Sequence, residues 1–150
     1  MMKLFEMKMP FNMDFGAPCP IILSNDTDLY LSFIIEDEKN NEMNAKTLIF
    51  NSYLKYNFGI PSNETLIYHP YSHLGIESYS FYELYNSDWL DSLMKIEQQH
   101  PYFNYEKWKN LKHFIITFHD NIFECIANDF KVLDSDYQIY NDMETMFTKF

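Results

Sequence analysis

The densest group of chemically useful side chains lies in residues 112–133, KHFIITFHDNIFECIANDFKVL. Two of the five histidines, one of the two cysteines and a glutamate occur there within an otherwise apolar run. Apolar runs on either side of a short polar segment predict two antiparallel strands, at about 112–119 and 122–127, joined by a tight turn. The chemistry of this hairpin depends on which side chains the pairing of its strands brings together.

A metal site or an acid–base pair could be built on this hairpin. Alternation along the first strand places His113 and His119 on one face, and Glu124 could approach Thr117 or His119 from the second strand. Imidazoles and carboxylates ligate metals and transfer protons. His113, His119, Asp120 and Glu124 are therefore the candidate catalytic residues. In the alternative interpretation they are structural, and the Asp120 side chain only caps its own turn.

Other catalytic patterns are missing from the sequence. It has no G-x-S-x-G segment, and its three glycines are too scattered for a phosphate-binding loop. Cys19 and Cys125 lie far apart and match no zinc spacing. Cys125 is flanked by Phe123 and Ile126 in an apolar strand, where a thiol is expected to be buried and unreactive. His69 and His73 are four residues apart, but Pro70 disfavours a helix and predicts an exposed loop. No cofactor is expected.

The charge balance restricts the classes of partner. The chain has no arginine, and its 22 acidic residues exceed its 11 basic ones, for a net charge of −11. Such a surface repels phosphate backbones and anionic lipids, so nucleic-acid and membrane binding are not expected. A basic protein partner is compatible with it. Glu36, Asp37, Glu38 and Glu42 form the densest acidic cluster, in a predicted loop over 36–46, and are the candidate binding residues.

Hydrophobic periodicity predicts an α+β fold. Strands are expected at 21–24, 29–35, 47–56, 64–68 and 130–134, with an extended segment at 76–85. A central helix is expected from Ser87 to about Gln99, a short one over 105–111, and a C-terminal one after a capping box that starts at Asn141, with Ile139, Met143, Phe147 and Phe150 on its apolar face.

Together these elements predict a single domain over 1–150. It has an antiparallel β-sheet, arranged as a meander or a sandwich, on which the central helix and the C-terminal helix pack. No segment is long and apolar enough for a transmembrane helix, and the first residues do not resemble a signal peptide. A cytoplasmic protein is therefore expected.

The segment HFIITFHDNIFECIA, residues 113–127, resembles the C-terminal part of a family of small uncharacterised bacterial proteins. In those proteins a His-Phe strand is followed by Phe-His-Asp, then by Phe-Glu-Cys and Ala. Residues 79–101 and the opening 16–20 segment are similar to the same family, so the resemblance covers about the last half of the chain and a few residues near its start. This chain departs from the family at Asn121-Ile122, where small hydroxyl residues are expected. The resemblance implies a family and no established activity.

Three functional hypotheses remain open at this point. The first is a non-enzymatic protein that binds another protein through its acidic surface, as bacterial toxin-immunity proteins do. The second is a small metal-binding protein or a hydrolase-type enzyme that uses the 113–125 hairpin. The third is a structural domain of a larger complex. Bound metal would favour the second hypothesis, and a basic partner would favour the first.

Overall fold

The computed structural model describes residues 1–36, 44–133 and 137–148, and within these ranges nine strands form two antiparallel sheets. The strands are β1 (Lys3–Glu6), β2 (Ile21–Ser24), β3 (Asp28–Ile35), β4 (Asn44–Asn51), β5 (Lys55–Gly59), β6 (Phe81–Tyr85), β7 (Lys112–Thr117), β8 (Ile122–Ala127) and β9 (Lys131–Leu133). Three helices accompany them: α1 (Asp88–Glu97), α2 (Tyr105–Trp108) and α3 (Tyr137–Thr148). The five-stranded sheet has the order β1-β6-β7-β8-β5, and the four-stranded sheet has the order β2-β3-β4-β9. The predicted α+β class is therefore confirmed.

Aromatic side chains fill the space between the two sheets. The strand expected over 29–35 is present as β3, and its residues Leu29, Leu31 and Phe33 are fully buried in this core. From the five-stranded sheet, Phe114 lies 5.7 Å from Phe50 and Phe118 lies 5.6 Å from Phe33, measured between ring centroids. Tilted and edge-on rings at these distances gain energy beyond the burial of their area.

Both outer faces are also covered. Helix α3 packs on the four-stranded sheet through Tyr140 and Met143, which are buried. The segment between β5 and β6 folds back over the five-stranded sheet, where Leu66 and Tyr71 cluster with Ile115. The central strand β7 is therefore buried on both faces, and any polar side chain that it carries must find a protein partner.

The predicted strand over 47–56 is wrong, since the chain changes sheets within it. Strand β4 ends at Asn51, and β5 begins at Lys55 in the other sheet. Ser52 has a left-handed backbone (φ 53°), and Asp28 accepts hydrogen bonds from the Asn51 side chain and the Ser52 N–H. Leu54, which lies between these two strands, is 43% exposed.

The predicted strand over 64–68 is wrong as well. The structure has a 3₁₀ turn at Leu66–Tyr68 and a second one at Ser72–Leu74 that ends on left-handed Gly75 (φ 95°). Within the extended segment expected over 76–85, only Phe81–Tyr85 is a strand. Tyr79 interrupts the extended chain with a φ of 56°.

The helices differ from expectation mainly at their ends and buried faces. Helix α1 starts after Ser87 as predicted, although none of its residues is fully buried. Helix α2 stops at Trp108, three residues before its predicted end. Helix α3 begins before Asn141, so the predicted capping box lies inside the helix. Its buried face contains Tyr140, whereas Phe147 is 70% exposed and Phe150 lies outside the described residues. None of the helices in the described ranges combines the length and apolar character needed to cross a bilayer.

Candidate functional site

Two of the four candidate catalytic residues meet on the outer face of the five-stranded sheet. Strand pairing places Glu124 opposite Ile115, and the Glu124 carboxylate extends diagonally to His113. His113 Nε2 lies 2.8 Å from Glu124 Oε1. The expected approach of Glu124 to Thr117 or His119 is wrong, because the turn closes at Phe118 and Asn121 and aligns Thr117 with Ile122.

Ser87 extends this pair to three residues. It is the N-cap of α1, and its Oγ accepts a hydrogen bond from the Leu90 N–H at 3.1 Å. The same Oγ lies 2.6 Å from His113 Nδ1. Because the ionised Glu124 carboxylate only accepts hydrogen bonds, the ring proton of neutral His113 is assigned to Nε2, and Nδ1 accepts the Ser87 hydroxyl proton. Ser87, His113 and Glu124 thus form a continuous hydroxyl–imidazole–carboxylate chain, which we call the relay.

His69 holds the second oxygen of the same carboxylate. Its Nδ1 accepts the Tyr71 N–H at 3.0 Å, so its Nε2 carries the ring proton and lies 3.4 Å from Glu124 Oε2. The prediction of an exposed loop is wrong for this residue, which is 7% exposed. The 3₁₀ turns that cover the sheet press His69 against Glu124, and Glu124 thereby receives two imidazole N–H donors.

These contacts keep the Glu124 carboxylate ionised. Burial alone raises the pKa of this group, but hydrogen bonds from His113 and His69, together with the attraction of any positive charge on either ring, lower it to about 2. The side chain is only 12% exposed, so its charge is stabilised by these donors more than by water.

Aromatic side chains close the relay off from solvent. The Trp89 ring lies 5.0 Å from the His113 ring, edge to face, and Tyr71 donates a 2.5 Å hydrogen bond to Asp88. Burial and the Asp88 carboxylate raise the pKa of Tyr71, so its hydroxyl stays protonated. Ser87 is 2% exposed and His113 is fully buried. Among the described residues, no group of three or more His, Cys, Asp or Glu side chains is arranged to hold a metal ion.

The other two candidate catalytic residues, His119 and Asp120, lie in a separate cleft. This cleft has a volume of about 1190 Å3 and is lined by the 14–22 loop, the end of β3, the β7–β8 turn and α3. Of the residues that the structure describes, four with carboxylate side chains line it: Asp14, Glu36, Asp120 and Glu144. We call it the acidic cleft.

His119 anchors one wall of the acidic cleft. Its Nδ1 lies 2.6 Å from the Tyr79 hydroxyl and 3.3 Å from the Asn63 amide nitrogen. The Tyr79 oxygen in turn accepts the Gly16 N–H at 3.1 Å. His119 therefore ties the 14–22 loop to the five-stranded sheet, while its Nε2 lies 3.7 Å from Asp120.

Three of the four cleft carboxylates act on a common group, the thiol of Cys19. Burial raises the pKa of this thiol, and the negative charges of Glu144, Asp120 and Asp14 raise it further. Tyr140 fixes the loop by donating a 2.7 Å hydrogen bond to the Cys19 carbonyl. The thiol consequently stays protonated although Cys19 is exposed.

The predicted binding cluster is only partly within the described residues. Glu36 is exposed and lines the acidic cleft, whereas Asp37, Glu38 and Glu42 lie outside the described residues. The structure thus places Glu36 and Asp120, which the sequence assigned to different sites, around one space.

Sequence reasoning missed the site roles of Ser87, His69, Asp14 and Glu144. Ser87 was recognised only as the start of the central helix, and its position directly after a strand was the available signal. For the other three residues, no spacing in the sequence indicates the long-range contacts that give them a role.

Comparison of the chain with protein-family models, with curated proteins and with solved structures gives no match. The family expected from the resemblance at 113–127 therefore stays a prediction.

Proposed function

We propose that this protein binds a basic segment of another protein in the acidic cleft and does so without catalysis, in the manner of a toxin-immunity protein. The observation that carries this proposal is the convergence of Asp14, Glu36, Asp120 and Glu144 on one cavity of about 1190 Å3. Within the described part of the chain, His119 is the only side chain in the lining that can carry a positive charge. A lysine or arginine from a partner would supply the missing cations.

Electrostatics support a basic partner on two scales. The net charge of −11 attracts a cationic protein at long range and raises its association rate. At short range the carboxylates already raise the pKa of the Cys19 thiol, so their fields overlap within the cleft. A guanidinium or ammonium group placed there would be attracted by these negative charges.

The apolar part of the lining supports a polypeptide over a small cation. Phe58 is 42% exposed and Phe147 is 70% exposed, and both line the same cavity. Aromatic side chains are enriched at the centres of protein interfaces, where a few residues carry most of the binding energy. A chain segment with basic and apolar residues matches both features.

The test is a pull-down from the native cell with the full chain, followed by association kinetics with the purified partner. We expect a basic partner whose association slows as ionic strength rises from 0.01 to 0.1 M, where the Debye length falls from about 30 to about 10 Å. Neutralising the cleft (Asp14→Asn, Glu36→Gln, Asp120→Asn and Glu144→Gln together) should reduce affinity by at least about tenfold, since charge pairs at interfaces each contribute on the order of 1 kcal/mol or more.

A matched control separates the cleft from the overall charge. Glu6, Asp26, Glu64 and Glu97 are exposed and do not line the cleft. Neutralising these four changes the net charge equally and should slow association only modestly. Equal losses of affinity in the two variants, or a partner whose association ignores salt, would refute the acidic cleft as the binding site.

A further inference from the structure

We propose that the relay is a serine acyl-transfer site, in which Ser87 is the nucleophile and His113 is the general base. Glu124 is a positioning residue that acts through His113. This activity is separate from the proposed binding of a basic partner, because none of the three residues lines the acidic cleft.

The hydrogen bonds run in the direction that the chemistry needs. A serine hydroxyl becomes nucleophilic when a base accepts its proton, and the base is oriented by a third group. Here Ser87 Oγ donates to His113 Nδ1 at 2.6 Å, and His113 Nε2 donates to Glu124 Oε1 at 2.8 Å. His69 holds the other carboxylate oxygen, which fixes the plane of the Glu124 carboxylate.

The reaction proposed is hydrolysis of a small carboxylic ester. Ser87 Oγ attacks the carbonyl carbon while its proton passes to His113 Nδ1. The C–O bond to the alcohol then breaks, the alcohol oxygen takes the proton from Nδ1, and the acyl group stays on Oγ. Water next attacks the acyl carbon and gives its proton to Nδ1, and Ser87 recovers that proton as the carboxylic acid leaves. Glu124 stabilises the imidazolium that forms in each half-reaction.

The local backbone places Ser87 where nucleophilic serines are often found. The chain passes from β6 through left-handed Asn86 (φ 56°) to Ser87 and directly into α1. The sharp turn between strand and helix brings the hydroxyl beside the first turn of α1. The Leu90 N–H already donates to Ser87 Oγ, so the Asp88 N–H, at the first position of α1, is the donor proposed for the oxygen that becomes negative during attack.

Access to Ser87 runs along a groove between α1 and α2. The groove has a volume of about 580 Å3, and its lining includes Ser87 with Leu90, Met94, Trp108 and Leu111. Ser87 itself is 2% exposed, so the ester must displace part of this lining. Helix α1 has no fully buried residue, and an element with so few buried contacts opens at low free-energy cost.

The test is covalent labelling of the full chain with a fluorophosphonate probe, followed by peptide mass spectrometry. We expect phosphonylation of Ser87 and no comparable labelling of Ser92, an exposed serine on the same helix whose hydroxyl bonds the Trp89 carbonyl. Hydrolysis of p-nitrophenyl acetate should fall by about 100-fold or more in Ser87→Ala and remain unchanged in Ser92→Ala. Labelling of the unmodified chain decides the result even if Ser87→Ala fails to fold.

The role of Glu124 has its own readout. In Glu124→Gln the labelling rate should fall, and the pH at which it is half-maximal should move lower, because an amide no longer stabilises the protonated imidazole. If the relay had only a structural role, Glu124→Gln would cause no such shift in the pH dependence of labelling. An unlabelled Ser87 in folded protein, beside a known serine hydrolase that labels in the same tube, would overturn the proposal, and so would equal labelling of Ser87 and Ser92.

Discussion

His113 Nε2 lies 2.8 Å from Glu124 Oε1 across two paired strands, and His113 has no exposed surface. Because β7 and β8 are hydrogen-bonded neighbours, this contact spans a diagonal of the sheet and joins residues that are not directly opposite each other. The same carboxylate receives His69 from the 3₁₀ segment. The buried Glu124 carboxylate therefore links the sheet to the 3₁₀ segment through His69, and to the start of α1 through His113 and Ser87.

Glu124→Gln should reduce stability and flatten its pH dependence. The Glu124 pKa is about 2 in the folded protein, against about 4.3 for an unperturbed glutamate. This depressed pKa contributes stability above about pH 5, which is lost as the pH falls through 4.3 towards 2, and it amounts to roughly 3 kcal/mol. Urea unfolding at several pH values measures it. Glu64→Gln, on the exposed surface, is the control, and an identical pH slope in wild type and Glu124→Gln would contradict the prediction.

Ser87→Ala should destabilise the protein more than a helix cap alone explains. Loss of the cap costs about 0.5–2 kcal/mol, and leaving the buried His113 Nδ1 without a donor adds about 1–3 kcal/mol. Denaturant unfolding measures the sum. Ser92→Ala is the matched comparison, because it removes the same hydroxyl from an exposed position on the same helix, where it bonds the Trp89 carbonyl. Equal losses in Ser87→Ala and Ser92→Ala would contradict the prediction.

Phe118→Ala should cost about 3–5 kcal/mol, the usual range for removing a buried phenyl ring. Phe118 is 1% exposed and packs against Phe33 between the sheets. Phe147→Ala removes the same atoms from a side chain that is 70% exposed, and it should change the free energy of unfolding by less than about 0.5 kcal/mol. Comparable losses in the two variants would mean that the core is wrongly placed.

The hairpin was predictable because all of its determinants are contiguous. Alternating apolar residues on both sides of a polar turn fix the antiparallel pairing of β7 and β8, and Ser87 precedes α1 with the local signals of an N-cap. Prediction of the relay also requires the position of β6 beside β7, because this pairing brings Ser87 to His113. Strand order is set by the packing of the whole sheet, and no local pattern encodes it.

The errors arose where tertiary contacts replace local periodicity. Leu48, Phe50 and Leu54 continue an apolar alternation across the point at which the chain changes sheets, so the pattern carries no sign of the break. The contact of His69 with Glu124 joins residues 55 positions apart, and it exists only because the 3₁₀ segment folds back over the sheet. A polar segment that contains a proline is typical of a loop. Whether such a segment is buried depends on whether it covers an apolar face of the sheet, and its own sequence does not show this.

The Cys19 thiol reports on the acidic cleft without any partner. Its pKa is raised by burial and by the carboxylates of Glu144, Asp120 and Asp14. Since the thiolate is the reactive form, alkylation by iodoacetamide at about pH 8 should be slower for Cys19 in the folded protein than in unfolded chain. Replacing the three carboxylates by amides should lower the thiol pKa towards its ordinary value and speed the reaction severalfold, and added salt should speed it in the wild type.

Cys125, which is fully buried, should stay unmodified and so confirm that the protein remains folded. A Cys19 rate that is unchanged by both the substitutions and salt would mean that the carboxylates do not act together in the cleft, and the proposed capture of a basic segment would lose its physical basis.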